Sequence, residues 1–176
     1  KRANIEWRCM PAEEVTEALG RVDAVVMGQS FHWMHRDQVL AQLAPMIREG
    51  GGIALIGPSM RLRTESTEAI LNPILERYLG PRGSLKRPDP EPANEPALRR
   101  SASFSTFHSH FFIAEFERDI ASVIGHIYSM SYSPRSKFGD RLEAFEQEAR
   151  SALLAFNPSG VFKERIETEV QIAPKV

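Results

Sequence analysis

The chain has 176 residues, 42% hydrophobic and 26% charged, an ordinary globular composition with enough length for a sizeable core. Its 22 basic and 23 acidic residues leave a net charge of -1, so no global field draws nucleic acid or an anionic membrane. The single cysteine, Cys9, excludes an internal disulfide and fits a reducing, cytoplasmic setting, and no apolar run approaches the roughly 20 residues of a bilayer span.

In chain order, Ile5 to Cys9 alternates apolar and polar residues and predicts a strand that Pro11 stops, with Cys9 a core residue on it. Glu13 to Leu19 predicts a short helix ended by Gly20. Val22 to Met27 is a nearly continuous apolar run of strand length, the pattern of a buried strand in a parallel sheet. From Asp37 to Arg48 the residues Val39, Leu40, Leu43, Met46 and Ile47 recur at the spacing of one helix face, with Pro45 as a kink or early end. Gly50, Gly51 and Gly52 read as the left-handed stop of that helix, and Ile53 to Ile56 as the next strand. Strand, helix and strand at this spacing make a βαβ unit with a right-handed crossover.

Thr64 to Leu79 predicts a second helix, flawed at Pro73. Residues 80–103 hold five prolines among charges without periodicity and read as a long mobile loop. Phe104 to Phe116 alternates and predicts a strand. Asp119 is placed to cap a helix through Tyr128. A further helix starts at Asp140, with Leu142, Phe145, Ala149, Ala152, Leu153 and Phe156 on one face, and Val161 to Ala173 predicts a closing strand. The whole, residues 1–176, reads as a single α/β domain. Its opening on Lys1, directly before a strand-like run, reads as a start inside a longer protein or as a processed terminus.

In open α/β sheets ligands bind beyond the carboxyl ends of the strands, which selects two loops. One is Met10-Pro11-Ala12-Glu13. The other is Gly28-Gln29-Ser30-Phe31-His32-Trp33, which carries a hydroxyl, an amide, an imidazole and two aromatic rings. Exposed aromatics there would wall a pocket for a planar or cationic ligand. The opposing reading is a core-capping turn with Phe31 and Trp33 folded inward.

The stretch from Glu6 to Gly57 resembles the middle of a class I S-adenosylmethionine-dependent methyltransferase of the small-molecule, type 11 kind. The matching pieces are Pro11-Ala12-Glu13-Glu14, Val22-Asp23-Ala24-Val25-Val26, Ser30-Phe31-His32-Trp33 and Leu43 through Gly50-Gly51. The tail is similar to the same group at Ile124-Gly125-His126-Ile127-Tyr128-Ser129, Phe138-Gly139-Asp140-Arg141, Phe145-Glu146 and Asn157-Pro158-Ser159-Gly160. The resemblance implies a Rossmann-like sheet, mostly parallel with an antiparallel last strand and helices on both faces. It implies that Met10, Pro11, Ala12 and Glu13 flank the adenine of S-adenosylmethionine, and that Gly28, Gln29, Ser30 and Phe31 line its methionine end. His32 and Trp33 would sit between cofactor and a small-molecule substrate, and Tyr128 would help cover that substrate. Pro11 stands where the family often carries an acidic residue, a departure that touches the hydrogen bond to the adenine amine.

The family's Gly-rich loop and ribose-binding acid precede the region matched here and have no counterpart in this sequence. Gly50-Gly51-Gly52 precedes a strand rather than following one and does not replace them. The sheet is therefore expected to be truncated and the cofactor site incomplete, so that this chain binds S-adenosylmethionine weakly or not at all. Methyl transfer itself needs little from side chains beyond register. His32 is the nearest candidate base if the acceptor is a hydroxyl or an amine, and a pocket wall otherwise.

His108 and His110 share one strand face, but no ligand set of recognisable spacing surrounds them, so no metal is expected. Arg61, Arg63, Lys86, Arg87, Arg99 and Arg100 form short basic pairs, either solvated or facing an acidic substrate. Two other functions compete with methyl transfer: a nicotinamide-dependent oxidoreductase on a similar sheet, and a non-catalytic partner-binding domain. The strand 22–27 is expected to present an apolar edge that either Ile5 to Met10 or a second copy, forming a homodimer, covers.

Overall fold

In this computed structural model residues 4–59, 67–81 and 93–176 are described. In chain order the elements are β1 (Val22–Gly28), α1 (Arg36–Leu43), β2 (Ile47–Pro58), α2 (Thr67–Leu79), α3 (Glu95–Arg100), β3 (His108–Asp119), α4 (Ile120–Ser129), α5 (Leu142–Phe156) and β4 (Val161–Pro174). The strands form one mixed sheet in the order β1-β2-β4-β3. β1 and β2 are parallel, and β4 joins β2 antiparallel, as the resemblance implies for the last strand. The chain gathers into two compact units, one of residues 4–58, 93–112 and 168–176, the other of 59, 67–81 and 113–167.

In the first unit the pleat separates two kinds of side chain. Val25 lies opposite Ile53, which lies opposite Ala173; Met27 lies opposite Leu55. With the exception of the partly buried Val25, these residues are buried, against Val39, Leu40 and Leu43 of α1 and Ala97 and Leu98 of α3. Each large apolar side chain so covered contributes roughly 1.5–3 kcal/mol. The next row, Val26 opposite Ala54 opposite Ile172, points the other way. There Val26 is 61% and Ile172 43% exposed, so the helices of this unit cover one face of the sheet and leave the second open.

Several sequence expectations need correction here. Ile5 to Cys9 is not a strand: no residue from 5 to 10 pairs in the sheet, and Cys9 is exposed, not core. Alternation alone fixes no strand without a neighbour to accept its backbone hydrogen bonds. Residues 13–19 form two separate single turns, Ala12–Glu14 and Glu17–Leu19, in place of a helix. α1 stops at Leu43 because Pro45 cannot continue the ladder, and a single turn over Ala44–Met46 leads into β2 at Ile47. The glycine triplet lies inside β2, where the register jumps between Val22/Ile47 and Ala24/Gly52. A Cβ on Gly51 would stand 2.3 Å from the Asp23 carbonyl oxygen, and one on Gly52 2.6 Å from that of Ala173. The triplet serves close backbone approach, not a helix stop.

The segment 80–103 is not loop throughout. Residues 82–92 and the basic residues Arg61, Arg63, Lys86 and Arg87 lie outside the described residues. Glu95–Arg100 is helix α3, with Ala97 and Leu98 fully buried. Pro96 sits in its first turn, where the missing N–H costs nothing.

In the second unit α2, α4 and α5 enclose Leu71, Ile74, Leu75, Val123, Ile124, Ile127, Phe145, Ala149 and Leu153. The Asp119 carboxylate accepts from the Ser122 N–H at 2.7 Å and caps α4 as its sequence position predicts. α5 begins at Leu142, directly after a single turn over Gly139–Arg141 that holds Asp140, and Phe156 is 67% exposed, so it does not share the buried face of Phe145 and Leu153. The Arg118 guanidinium meets the Glu164 carboxylate at 2.6 Å, mostly shielded from water.

Candidate functional site

The two loops selected from the sequence belong to the first unit, and a specific tie holds them together. α1 begins at Arg36, and its capping residue His35 supplies no side-chain cap. The Glu13 carboxylate takes that place from a distance: its Oε1 accepts from the His35 N–H at 2.9 Å. The Gln42 amide, one residue before the end of α1, donates to the Glu13 carbonyl at 2.8 Å. The hydrogen bond from the His35 backbone, ahead of the smaller effects, holds the Glu13 carboxyl below the usual carboxylate range. A negative charge beside a helix N-terminus is favourable on its own account. The loop Met10–Glu13 is thereby pinned beside the loop Gly28–Trp33, which leads into the same helix.

The second loop leaves the carboxyl end of β1 in a constrained conformation. Gln29 has φ 49°, the left-handed region that a residue with a Cβ seldom adopts, and its N–H donates to the Ile56 carbonyl at 2.8 Å. A single turn over Phe31–Trp33 follows. Phe31 is 2% exposed and belongs to the core, with the Arg36 guanidinium 5.8 Å from its ring centre. For Phe31 the inward-folded reading holds. Trp33 differs: it is 37% exposed, and its ring lies 4.9 Å from the imidazole of partly buried His32. Ser30 is partly buried, while Gly28 and Gln29 are exposed. A Cβ on Gly28 would meet nothing within 4 Å, so the end of β1 faces open space.

Across the first loop, Pro11 and Met10 are exposed, and Ala12 packs against the core of this unit. Sequence reasoning named Glu13 as a neighbour of the ligand and missed its role as the cap of α1. No local signal marks a cap that lies 22 residues away in the chain. Arg36 was missed as well. It is 1% exposed, and its Nη1 donates to the Ala93 carbonyl at 2.9 Å, joining α1 to the segment before α3.

Tyr128 lies in the second unit. Its hydroxyl donates to Glu146 at 2.9 Å and its ring stands edge-on to Phe138 and Phe145. Burial, then the Glu146 carboxylate, pushes its ionisation well above the usual tyrosine range. Arg99 pairs with Glu95 and Arg100 with Asp37. The Arg100–Asp37 pair borders a cavity of about 270 Å³ also lined by Leu40, Ala41, Ser101 and Ala102. His108 and His110 are exposed, and among the described residues no three metal-ligating side chains converge. No described helix is long and apolar enough to cross a membrane.

No protein-family model matches the chain, and no curated protein matches it. Among solved structures the chain is similar to a proposed type II methyltransferase from Anaeromyxobacter dehalogenans, at 20% identity and a TM-score of 0.45, covering 99% of this chain and 72% of that one. It is also similar to a proposed methyltransferase from Bacillus halodurans, at 16% identity and a TM-score of 0.41, covering 93% and 68%. A proposed sarcosine dimethylglycine methyltransferase from Galdieria sulphuraria matches at 13% identity and a TM-score of 0.31, covering 88% and 53%. At these scores the likenesses carry no functional argument.

Proposed function

We propose that this chain carries part of the site for S-adenosylmethionine-dependent methyl transfer to a small-molecule acceptor. One observation carries the reading. The Glu13–His35 hydrogen bond holds together, at the carboxyl end of a parallel strand, the two loops on which the methyltransferase resemblance rests. The residues fit the cofactor at its methionine end: Gly28 opens onto free space, and Trp33 offers an exposed aromatic face of the kind that attracts a cation. Gly28, Gln29 and Ser30 would line that end, and Met10, Pro11 and Ala12 would flank the adenine.

When bound, S-adenosylmethionine supplies a methyl group on a positively charged sulfur. The contribution of this chain is then positional. The strained turn at Gln29 fixes where the loop leaves β1, and the core burial of Phe31 anchors the His32–Trp33 pair. Holding donor and acceptor in register supplies much of the acceleration of such a transfer. For a hydroxyl or amine acceptor, His32 is the side chain in this loop able to take the proton.

Binding by equilibrium dialysis tests the reading. S-adenosylmethionine or S-adenosylhomocysteine is expected to bind with a dissociation constant on the order of millimolar, weakened several-fold by Trp33→Ala. Binding of NADH in preference to both, or no effect of Trp33→Ala, would overturn it.

A further inference from the structure

The carboxyl end of β2 holds a charged group that the proposed function leaves unused. There Gly57 lies opposite Glu169 of β4, and Leu55 lies opposite Gln171. By strand alternation all four residues share the face on which Ile53 and Ala173 are buried, the face that the helices of this unit cover. Gly28 lies opposite Ile56, so Gly57 stands one residue beyond the last pairing of β1 with β2. It is therefore beside the turn at Gln29, whose N–H donates to the Ile56 carbonyl.

Glu169 is partly buried, and among the described residues no cation pairs with its carboxylate. The strand opposite leaves it side-chain space: a Cβ on Gly57 would meet nothing within 4 Å. Gln171 fixes the carboxylate. Its Nε2 donates to Glu169 Oε1 at 3.1 Å, and turning the amide over would set two oxygens against each other. The amide Oε1 is thereby left buried, and among the described residues it accepts from no donor. Buried acceptors are seldom left in that state, because their lost hydration is not replaced. Here the unpaired oxygen accompanies a carboxylate held in one orientation at the ligand end of the sheet. A carboxylate and an amide oxygen are both acceptors, and together they carry a negative charge. The group that matches them is a cation with donors only, compact enough for the space of one side chain. An alkylammonium has three donors, no acceptor and a concentrated charge.

We propose that Glu169, oriented by Gln171, binds the ammonium group of a small amine in the space beside Gly57, and that the methyl acceptor is a molecule carrying that group. The second part rests on the methyl-transfer reading; the binding site stands without it. Butylammonium, titrated at constant ionic strength with no S-adenosyl compound present, is expected to move the Gly57 backbone amide and the Gln171 side-chain amide signals along one curve, with a dissociation constant on the order of 10 mM. Butanoate and butan-1-ol should leave both signals in place at the same concentrations. Glu169→Gln, which keeps the shape and removes the charge, should weaken binding about fivefold. Gly57→Val, which fills the space, should abolish it with the far-ultraviolet circular dichroism unchanged. Butanoate or butan-1-ol binding as tightly as butylammonium, butylammonium binding indifferent to Glu169→Gln, or no movement of either signal would each overturn the proposal. S-adenosylhomocysteine binding enters none of these readouts, so failure of the ammonium site and failure of the methyl-transfer reading are separately visible.

Discussion

Replacing Glu13 by alanine removes the carboxylate that caps α1 and ties the two loops. The bond to the His35 N–H is 2.9 Å long and lies near the surface, so solvent screens part of it. Loss of a helix cap costs about 1 kcal/mol, and that figure suits a site of this exposure. With a urea slope of about 2 kcal/mol per M for a chain of this size, Glu13→Ala should lower the unfolding midpoint by about 0.5 M at neutral pH. Glu13→Gln keeps an acceptor without the charge and should lose about half as much.

The effect should also depend on pH. The folded-state pKa of Glu13 is depressed, so its contribution is present above the pKa of the unfolded chain and is lost as pH falls through the lower, folded value. The gap between wild type and Glu13→Ala should therefore narrow on acidification, below the ordinary carboxylate range, to what a neutral acceptor retains. Urea titrations followed by circular dichroism at neutral and acid pH measure both effects. Equal midpoints at neutral pH, or a gap that does not narrow as the carboxyl is protonated, would show that the charged tie does not hold α1.

Three further outcomes follow from the described packing. Leu98→Ala, in a helix where the sequence predicts loop, should cost about 3 kcal/mol, since a fully buried leucine leaves a cavity; chemical denaturation that finds under about 0.5 kcal/mol would return that segment to the surface. Asp119→Ala should cost about 1 kcal/mol by removing the bond to the Ser122 N–H, with Asp119→Asn recovering most of it in the same assay. Tyr128 should ionise above the usual tyrosine range in a spectrophotometric titration, and Tyr128→Phe should delete that step. Because its folded pKa is raised, its contribution to stability is complete below the ordinary tyrosine pKa and lost as pH rises through the folded one.

Where the sequence carries a local cause, its reading agrees with the structure. Val22 to Met27 is a strand, as its apolar run predicts, although of that run Met27 alone is buried because one face of the sheet is open, and Asp119 caps α4 because its partner N–H is three residues away. The βαβ unit is legible for the same reason, whereas the antiparallel direction of the last strand is what the methyltransferase resemblance implies. Disagreement appears where the deciding partner is remote. The alternation at Ile5 to Cys9 is real, yet no neighbouring strand accepts its hydrogen bonds. The triplet Gly50-Gly51-Gly52 looks like a helix stop until Asp23 and Ala173 are seen to crowd it. Pro96 looks like a loop residue, although at the first turn of a helix it is well placed. At the site, the pattern of Gly28 to Trp33 shows that the loop is special without showing which ring is buried. Packing decides that, and it divides the loop between Phe31 inside and Trp33 at the surface.

The pairing of the loops Met10–Glu13 and Gly28–Trp33 as a single ligand-binding surface is best tested by backbone amide shifts recorded while S-adenosylhomocysteine is added. Shifts concentrated at Met10, Ala12, Glu13, Gly28, Gln29, Ser30 and His35, growing together along one binding curve, are the predicted result. Shifts that spare both loops, or that move one loop without the other, would contradict it.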